Sequence, residues 1–283
     1  MTGRLLDGRA LATHLRSELR GRVERLAATI GHGEPPMLAI LGDGHHGSAS
    51  LYAASLERAA RSTGIATETI VDGDSLAAAI TRLNGDPRVA GIVVAQPFAD
   101  VKAGRRLVEH IDPERDVDGA TPTSAGRLAR GEPAFVPATA LAVIAILEEH
   151  DIPVAGRRAV IVGRSAVVGR PVSSLLLARD ATVVVTHTAT RDLAAETQRA
   201  EILVVAAGVP GLIRGPMVPR GAIVVDCGIN ATPDGIVGDV AFEEVARLAE
   251  AITPVPGGIG PVTPMMVLRQ LVEAAERRAS AAA

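Results

Sequence analysis

The sequence predicts an α/β protein of two domains, each built on a mostly parallel sheet. The chain has 283 residues, which at about 150 residues per domain leaves room for two. Its hydrophobic fraction of 47% is enough for two buried cores. Short aliphatic runs alternate along the chain with segments of helical periodicity. That alternation is typical of parallel strands covered by helices on both faces.

The first half of the chain supplies the elements of one domain. Asp7 is predicted to cap a helix that runs to about Ala28, because leucine and valine recur there at intervals of three and four residues. The elements predicted after it are a strand at 37–41, a helix over 48–62, a strand at 66–71, a helix capped by Asp74 or Ser75, and a strand at 89–95 ended by Pro97.

The first domain boundary is predicted between residues 126 and 137. Gly126, Gly131, Pro133 and Pro137 interrupt any helical or strand pattern there. The elements predicted beyond this boundary are a helix over 139–150, strands at 159–162, 182–186, 202–205 and 222–225 with helices between the first three, and a last helix over 264–278.

Composition excludes several classes of protein. The net charge is −3 and no stretch is strongly basic, so we expect no nucleic-acid partner. The longest apolar run, 140–147, is far too short to span a membrane, and the first residues lack the apolar segment of a secretory signal. The single cysteine, Cys227, cannot form an internal disulfide. We therefore expect a cytoplasmic protein with no membrane association, and we predict no metal site.

One glycine turn has the sequence expected of a phosphate-binding loop. The strand predicted at 159–162 runs into Gly163, and Gly169 opens a mostly apolar helix. A strand, a glycine turn and a helix N-terminus together present backbone N–H groups and the positive end of the helix dipole to a phosphate. The spacing departs from the usual pattern because Ser165 replaces the middle glycine. An ordinary strand-to-helix turn is the alternative at this point.

The end of the next strand indicates which dinucleotide the loop would hold. An NAD site usually places Asp or Glu there, where the carboxylate binds the ribose 2′-hydroxyl. Here Thr186, His187 and Thr188 follow with no acid, and Arg164 lies in the glycine loop. A guanidinium without a competing carboxylate suits a 2′-phosphate. The pattern therefore favours NADP over NAD, with a solvated surface arginine as the alternative interpretation of Arg164.

Five segments resemble the motifs of one enzyme family. They are 116–119 (Asp-Val-Asp-Gly), 163–171 (the glycine loop), 226–230 (Asp-Cys-Gly-Ile-Asn), 238–240 (Gly-Asp-Val) and 253–263, a block rich in proline and glycine. They lie in the order and at the spacing of the methylenetetrahydrofolate dehydrogenase/cyclohydrolase family, and the resemblance extends from Leu6 to the last helix. The chain is therefore identified as a member of that family.

This resemblance implies an N-terminal α/β substrate domain and a C-terminal Rossmann-like NADP domain, with the last helix returning to the first domain. We accordingly assign residues 1–138 and 264–283 to the substrate domain and 139–263 to the NADP domain. The resemblance also implies NADP as cofactor, a reduced folate or related small molecule as substrate, and a homodimer formed through the cofactor domain. The residues that it assigns to NADP are Gly163, Arg164, Ser165, Val168, Gly169, His187, Thr188 and Ile229.

Substrate-side residues of the family are also matched. The family carries a Tyr-x-x-x-Lys on a first-domain helix, and its tyrosine stacks on the pterin; Tyr52, the only tyrosine in the chain, matches it. Asp118 matches the aspartate at the pterin's amino edge, where a carboxylate can accept two N–H bonds. We assign catalytic and substrate-binding roles to these two residues. Pro256, Gly257 and Gly258 match the family's substrate-side loop.

The catalytic half departs from the family at three positions. Leu56 stands where the family has the lysine of the water step, and leucine cannot donate, accept or titrate. Ala95 stands where the family has a glutamine, and Gln96 would face the other side of the strand. Ala49 replaces a serine. Because these losses cluster while the cofactor motifs are kept, we predict that hydride transfer is retained and that the water step is weak or lost.

Three other side chains carry groups that could transfer a proton. His45 and His46 titrate near neutral pH, although histidines in a glycine loop are more often plain surface residues. Lys102 is the only lysine in the chain, and it belongs to a different segment. The sequence leaves the roles of all three open.

The favoured function is an NADP-dependent 5,10-methylenetetrahydrofolate dehydrogenase of one-carbon metabolism. Two alternatives stay open at this point. One is an NADPH-dependent reductase of a non-folate cyclic imine or iminium compound, and the other is a non-catalytic NADP-binding homologue. The altered loop at 42–48 and the losses at Ala49, Leu56 and Ala95 motivate both.

Overall fold

The computed structural model describes residues 3–29, 34–44, 47–71, 76–96 and 98–282. The chain divides into two compact units, one of residues 1–12 and 137–263 and the other of residues 13–136 and 264–283. The helices of the described residues are α1 (Gly8–Thr29), α2 (Ser48–Thr63), α3 (Leu76–Gly85), α4 (Val101–Val108), α5 (Pro122–Ala129), α6 (Ala138–Glu149), α7 (Gly169–Leu177), α8 (Leu193–Thr197), α9 (Phe242–Val245) and α10 (Ile259–Ala282). The strands are β1 (Arg4–Leu5), β2 (Met37–Gly42), β3 (Ala66–Val71), β4 (Val89–Val94), β5 (Arg158–Val162), β6 (Thr182–Thr186), β7 (Ile202–Val205), β8 (Ile223–Asp226), β9 (Asn230–Thr232), β10 (Gly235–Val237) and β11 (Ala251–Ile252).

The unit of residues 13–136 and 264–283 contains a parallel sheet of order β3-β2-β4. Every residue of β4 is buried, as expected of a strand that is covered on both faces. Strand β3 alternates between half-buried and exposed residues, as an edge strand does. The carboxyl end of β2 leads into α2, which carries Tyr52, and the carboxyl end of β4 leads directly into Ala95.

The other unit contains a parallel sheet of order β1-β11-β8-β7-β5-β6. The chain passes from β5 to β6 on one side and then crosses back to β7 on the other side of β5. Such a reversal of direction creates a crevice at the carboxyl edge of the sheet, where ligands of doubly wound folds bind. The predicted α/β fold class, with a Rossmann-like second sheet, is confirmed.

Several predicted boundaries need correction. Gly126 does not interrupt the chain: it lies inside α5, which Thr121 caps by accepting from Ser124 N at 3.1 Å and which Pro122 opens. The break comes at Gly131, whose φ of 71° is in the left-handed region. The hairpin of β9 and β10 was not predicted. Asp74, Ser75 and Pro97 lie outside the described residues.

The last helix begins earlier than predicted. It starts at Ile259, so that Pro264 lies inside α10 rather than at its first position. A proline there removes only the hydrogen bond to the Gly260 carbonyl. Gly260 is exposed to solvent, so that water can satisfy this carbonyl. From Pro264 onward the helix belongs to the unit of residues 13–136.

Residues 1–12, which we assigned to the substrate domain, cluster with residues 137–263. The cause is strand pairing: β1 lies parallel to β11, with Arg4 opposite Ala251 and Leu5 opposite Ile252. Asp7 caps the following helix, as predicted, by accepting from Arg9 N at 2.8 Å. Among the described residues no helix combines the length and the apolarity needed to cross a membrane.

Candidate active site

Tyr52 and Asp118 lie together in the unit of residues 13–136 and 264–283. Tyr52 lies on α2, and its hydroxyl donates to the Asp118 carboxylate with both oxygens at 3.3 Å. These distances are longer than a usual O–H···O bond, so the phenol binds the two oxygens weakly and equally. Burial and the negative charge of Asp118 raise the pKa of Tyr52 well above its ordinary value. The phenol therefore stays protonated at neutral pH and cannot act as a base there.

The loop that carries Asp118 is shaped by its neighbour Asp116. The buried Asp116 carboxylate accepts from Ala120 N at 2.8 Å and from Thr121 N at 2.9 Å. It also accepts from the Ser124 hydroxyl at 2.6 Å, which ties the loop to the first turn of α5. One aspartate of the Asp-Val-Asp-Gly motif thus builds the turn, and the other presents its carboxylate to Tyr52.

The three altered positions are all buried. Leu56 lies one helical turn after Tyr52 and is 0% exposed, and Ala95, directly after β4, is 1% exposed. Ala49 and Ala95 line a cavity of about 50 Å³ at the carboxyl ends of β2 and β3. A cavity of that size has room for a few water molecules at most. Aliphatic side chains thus occupy the places where the resemblance implies lysine, glutamine and serine.

The other polar residues that the sequence analysis considered are placed as follows. Lys102 is exposed on the first turn of α4, and Gln96 is half-buried. His45 and His46 lie outside the described residues.

The predicted glycine loop forms a close strand-to-helix turn. A Cβ on Gly163, whose φ is 118°, would lie 2.1 Å from the Ala206 carbonyl oxygen. A Cβ on Gly169 would lie 2.1 Å from the Gly163 carbonyl oxygen. Only glycine allows this close approach of the carboxyl ends of β5 and β7 and the start of α7. Ser165 stabilises the turn before α7, because its hydroxyl oxygen accepts from Val168 N at 3.1 Å.

The remaining predicted cofactor residues lie at the carboxyl edge of the same sheet. Arg164 follows β5 and is exposed, while His187 and Thr188 follow β6. The end of β6 is held by Thr190, whose hydroxyl oxygen accepts from His187 N at 2.9 Å. Ile229, three residues beyond β8, is 57% exposed although it is aliphatic.

This edge fits a nicotinamide dinucleotide that carries a 2′-phosphate. Ile229 and Val167 present exposed apolar surface of the kind that aromatic rings cover. Arg164 supplies a cation next to the glycine turn, and residues 187–191, which directly follow β6, include no acid that would compete with a phosphate. The positive charge, the exposed apolar surface and the close glycine turn of this edge therefore fit NADP.

The loop of Pro256, Gly257 and Gly258 is packed on the start of α1. The Arg9 guanidinium lies against the Cα of Gly257 and donates to the Pro256 carbonyl at 3.3 Å. Gly8 N donates to the Gly257 carbonyl at 2.9 Å. Gly257 and Gly258 are buried and Pro256 is exposed, so that the glycines shape the loop and the proline is its accessible face.

Two buried carboxylates that sequence reasoning missed tie together the loops at the cofactor edge. Asp226 accepts from Gly228 N at 2.8 Å, from Asp239 N at 3.1 Å and from Val240 N at 3.0 Å. Asp239 in turn accepts from two backbone N–H groups that follow β7, Ala207 N at 2.6 Å and Gly208 N at 2.8 Å.

Burial is the main reason why the pKa of Asp226 rises to about 6. Three backbone hydrogen bonds lower this pKa, and the nearby charge of Asp239 raises it. Glycine at 228 and 238 leaves room for the two carboxylates, because a Cβ at either position would overlap them. The signal in the sequence was this pairing of each aspartate with a nearby glycine, in Asp226-x-Gly228 and Gly238-Asp239.

We expect the difference in stability between the wild type and Asp226→Asn to depend on pH. The folded pKa of about 6 exceeds the ordinary value of 3.8. The stability linked to this carboxyl is therefore fully present below about pH 4 and is lost as the pH rises through about 6. The shift corresponds to about 3 kcal/mol, and asparagine does not titrate. Chemical unfolding of both proteins from about pH 4 to about pH 7.5 measures the change.

Asp234→Asn is the control for this experiment, because Asp234 is exposed in the turn between β9 and β10. The difference in stability between the wild type and Asp234→Asn should not show the pH dependence expected for Asp226→Asn. A difference between the wild type and Asp226→Asn that stays constant over the whole pH range would contradict the assignment.

Known proteins match the chain over nearly its whole length. Residues 6–118 match the family model for the catalytic domain of tetrahydrofolate dehydrogenase/cyclohydrolase, and residues 137–279 match that for its NAD(P)-binding domain. The bifunctional protein FolD of Parafrankia sp. (strain EAN1pec) is 46% identical over 275 residues, which cover 96% of this chain and 99% of the relative.

Solved structures agree with these matches. The bifunctional FolD enzyme of Campylobacter jejuni is 39% identical with a TM-score of 0.91, and the match covers 97% of this chain and 99% of that one. The Trypanosoma brucei enzyme, solved with NADP cofactor and inhibitor, is 33% identical with a TM-score of 0.93, over 98% and 99% of the two chains. The predicted nicotinamide-cofactor domain and enzyme family are confirmed. The chain belongs to the tetrahydrofolate dehydrogenase/cyclohydrolase family.

Proposed function

We propose that this chain is an NADP-dependent 5,10-methylenetetrahydrofolate dehydrogenase of one-carbon metabolism whose cyclohydrolase activity is weak or absent. The observation that carries the proposal is Leu56, a completely buried aliphatic side chain one helical turn after Tyr52. The family resemblance places the lysine of the water step at this position. The buried alanine at position 95, where the resemblance places glutamine, supports the same conclusion.

The substrate-binding part of the site is retained. Asp118 accepts N–H groups from the amino edge of the pterin, and its charge strengthens these hydrogen bonds. The protonated phenol of Tyr52 donates weakly to this carboxylate, and its ring offers a flat apolar face to the pterin. Both roles need only the groups that the structure brings together.

The cofactor part of the site is retained as well. We assign Gly163, Ser165, Val168 and Gly169 to the turn that holds the phosphates, and Arg164, His187 and Thr188 to the 2′-phosphate. Ile229 packs against a ring of the dinucleotide. Bound NADP supplies the acceptor for the hydride that leaves the methylene carbon of the folate. The exposed Pro256 lies on the substrate side in this assignment, and Gly257 and Gly258 shape its loop.

The two steps of the family reaction make different demands on the protein. Loss of hydride from the methylene carbon gives a cation stabilised by nitrogen, so this step depends mainly on positioning. Attack of water on that cation and opening of the ring require a group that handles a proton near the carbon. Leu56 and Ala95 provide no such group. The chain's residues therefore support the first step and not the second.

A paired assay on the purified protein tests the proposal. Methylenetetrahydrofolate with NADP is followed for NADPH formation, and methenyltetrahydrofolate alone is followed for ring opening. We expect NADPH formation together with ring opening at the rate found in buffer without enzyme. Ring opening well above the buffer rate would show that another residue replaces the lysine. No NADPH formation by a protein that binds NADP would refute the dehydrogenase function.

We further propose that two copies pair along β6. Among the described strands β6 pairs only with β5, so that its other edge is open. Val185 on this strand is 38% exposed, and Leu177 at the end of α7 is more exposed still. The resemblance implies a dimer through this domain. Light scattering should show a dimer for the wild type and a monomer for Val185→Lys, because a charge on an open edge opposes strand pairing. A wild-type monomer would refute the pairing.

A further inference from the structure

Gln270 lies in the middle of α10, and its amide is buried with only 5% of the residue exposed. The Nε2 group donates to the Val117 carbonyl at 2.8 Å and to the Val136 carbonyl at 2.9 Å. The Oε1 atom accepts from Val136 N at 2.9 Å. Both amide protons and one lone pair of the oxygen are therefore used, so that this buried amide keeps no unpaired donor.

One of these bonds holds the residue next to Asp118 in sequence. Val117 is completely buried, and its methyl groups lie against the Cα of Gly91 on β4, where a Cβ would come within 2.6 Å of them. The Val117 N–H group donates to the Arg115 carbonyl at 2.9 Å, and its carbonyl is taken by Gln270. Side chain, N–H and carbonyl of Val117 are thus all fixed, which leaves the next residue little freedom.

Gln270 and Asp116 act on opposite sides of the same loop. Asp116 ties the downstream part to α5 through Ala120 and Thr121. Gln270 ties the upstream part to α10 and to the segment before α6. Asp118 lies between these two anchored parts of the chain, and its carboxylate oxygens are 3.3 Å from the Tyr52 hydroxyl.

We infer that Gln270 is a positioning residue that fixes the Asp118 carboxylate in the orientation needed to receive the amino edge of the pterin. The substrate in this inference is that of the proposed function, on which the inference rests, and the geometry is given by the hydrogen bonds of the described residues. Gln270 acts on Asp118 through Val117 and not through direct contact with substrate or cofactor.

The isosteric variant Gln270→Glu provides the sharpest test. It keeps the shape of the side chain and an acceptor for Val136 N, but in either protonation state it loses at least one of the two bonds to the Val117 and Val136 carbonyls: the protonated carboxyl can donate to only one of them, and the ionised carboxylate donates to neither. Leu271→Ala is the matched control, because Leu271 is the next residue of α10, completely buried and apolar. It should lower stability without moving the loop.

Kinetics give the first readout. For Gln270→Glu we expect the KM for methylenetetrahydrofolate to rise roughly tenfold, with kcat within about twofold and the KM for NADP unchanged. Leu271→Ala should leave all three constants near those of the wild type. A merely structural role for Gln270 would make the two variants alike in these constants.

The emission of Tyr52 gives a second readout that does not depend on turnover. The chain has one tyrosine and no tryptophan, so its tyrosine emission comes from Tyr52 alone. A hydrogen bond from a phenol to a carboxylate quenches that emission. We expect brighter emission from Gln270→Glu than from the wild type, approaching that of Asp118→Asn, and no change in Leu271→Ala.

Each outcome decides one question. Wild-type emission and wild-type KM in a folded Gln270→Glu protein would overturn the inference about Gln270. An inactive wild type would instead refute the proposed function, and the comparison of emission would still test the positioning role. If Gln270→Glu does not fold, Gln270→Asn takes its place, because it keeps the amide but shortens its reach, and it should shift both readouts in the same direction.

Discussion

Replacing Leu56 by lysine and Ala95 by glutamine in the same chain is expected to create ring-opening activity on methenyltetrahydrofolate. A positioned proton-transfer group contributes roughly 10²–10⁴-fold, and we expect an acceleration of that order over the enzyme-free rate. Position 56 is completely buried, so desolvation would lower the pKa of a lysine there towards neutrality. The cavity of about 50 Å³ beside Ala95 provides part of the volume that a glutamine needs. Absorbance of the methenyl compound measures the gain.

The single variants separate the contributions. Leu56→Lys alone buries an ammonium without its partner, and we expect it to be less stable than the double variant. Leu56→Met is the matched control, because it nearly conserves volume and cannot titrate, so that it should show no gain. NADPH formation should persist in all of them. A folded double variant with no ring opening would mean that this pocket differs from the pockets of family members in more than these two side chains.

The burial of Ala49, Leu56 and Ala95 could be anticipated from the sequence, because all three side chains are apolar. An aliphatic residue packs into the core when it lies on the inner face of a helix or directly after a strand with both faces covered, unless the position lines a ligand-binding site. The structure places Leu56 and Ala95 in that way. The functional interpretation of these positions, however, rests only on the family resemblance. A buried leucine by itself gives no sign that relatives have a lysine at the same position.

Strand and helix positions followed from periodicity because the pattern was strong. Each aliphatic run that we assigned to a strand forms one, with ends shifted by one residue at most. The errors lie where local signals conflict. Pro264 had the signature of a helix start, but packing of the apolar residues on both sides of it extends α10 back to Ile259. At Gly126 the cap of Thr121 and Pro122 outweighs one glycine.

Contacts between distant segments could not be predicted in the same way. β1 is only two residues long, and its pairing with β11 depends on segments about 250 residues apart in the chain. The bonds of Gln270 to Val117 and Val136 span more than 130 residues. A single polar residue on a buried helix face signals that some partner exists, because an unpaired amide there would be costly. It does not say which carbonyl the amide meets.

Replacing Asp118 by asparagine is expected to lower kcat/KM for methylenetetrahydrofolate by roughly 10²–10⁴-fold. Each charge-assisted hydrogen bond contributes about 1.5–3 kcal/mol, and a carboxylate can accept two from the amino edge of the pterin. Asparagine keeps the size but presents an NH₂ group to donors on the substrate, so that at least one of them stays unpaired. Steady-state NADPH formation over a range of substrate concentrations measures the loss.

Tyr52→Phe distinguishes direct recognition by the carboxylate from an effect of the Tyr52–Asp118 bond. Phenylalanine keeps the aromatic face and removes only a hydroxyl that lies 3.3 Å from each carboxylate oxygen. A bond of that length contributes little, and we expect a loss of about tenfold or less. If Tyr52→Phe were as damaging as Asp118→Asn, the hydroxyl itself would have a direct role in the reaction. If Asp118→Asn kept wild-type kcat/KM, the substrate would not be recognised through its amino edge, and a reduced folate would lose its main support as the substrate.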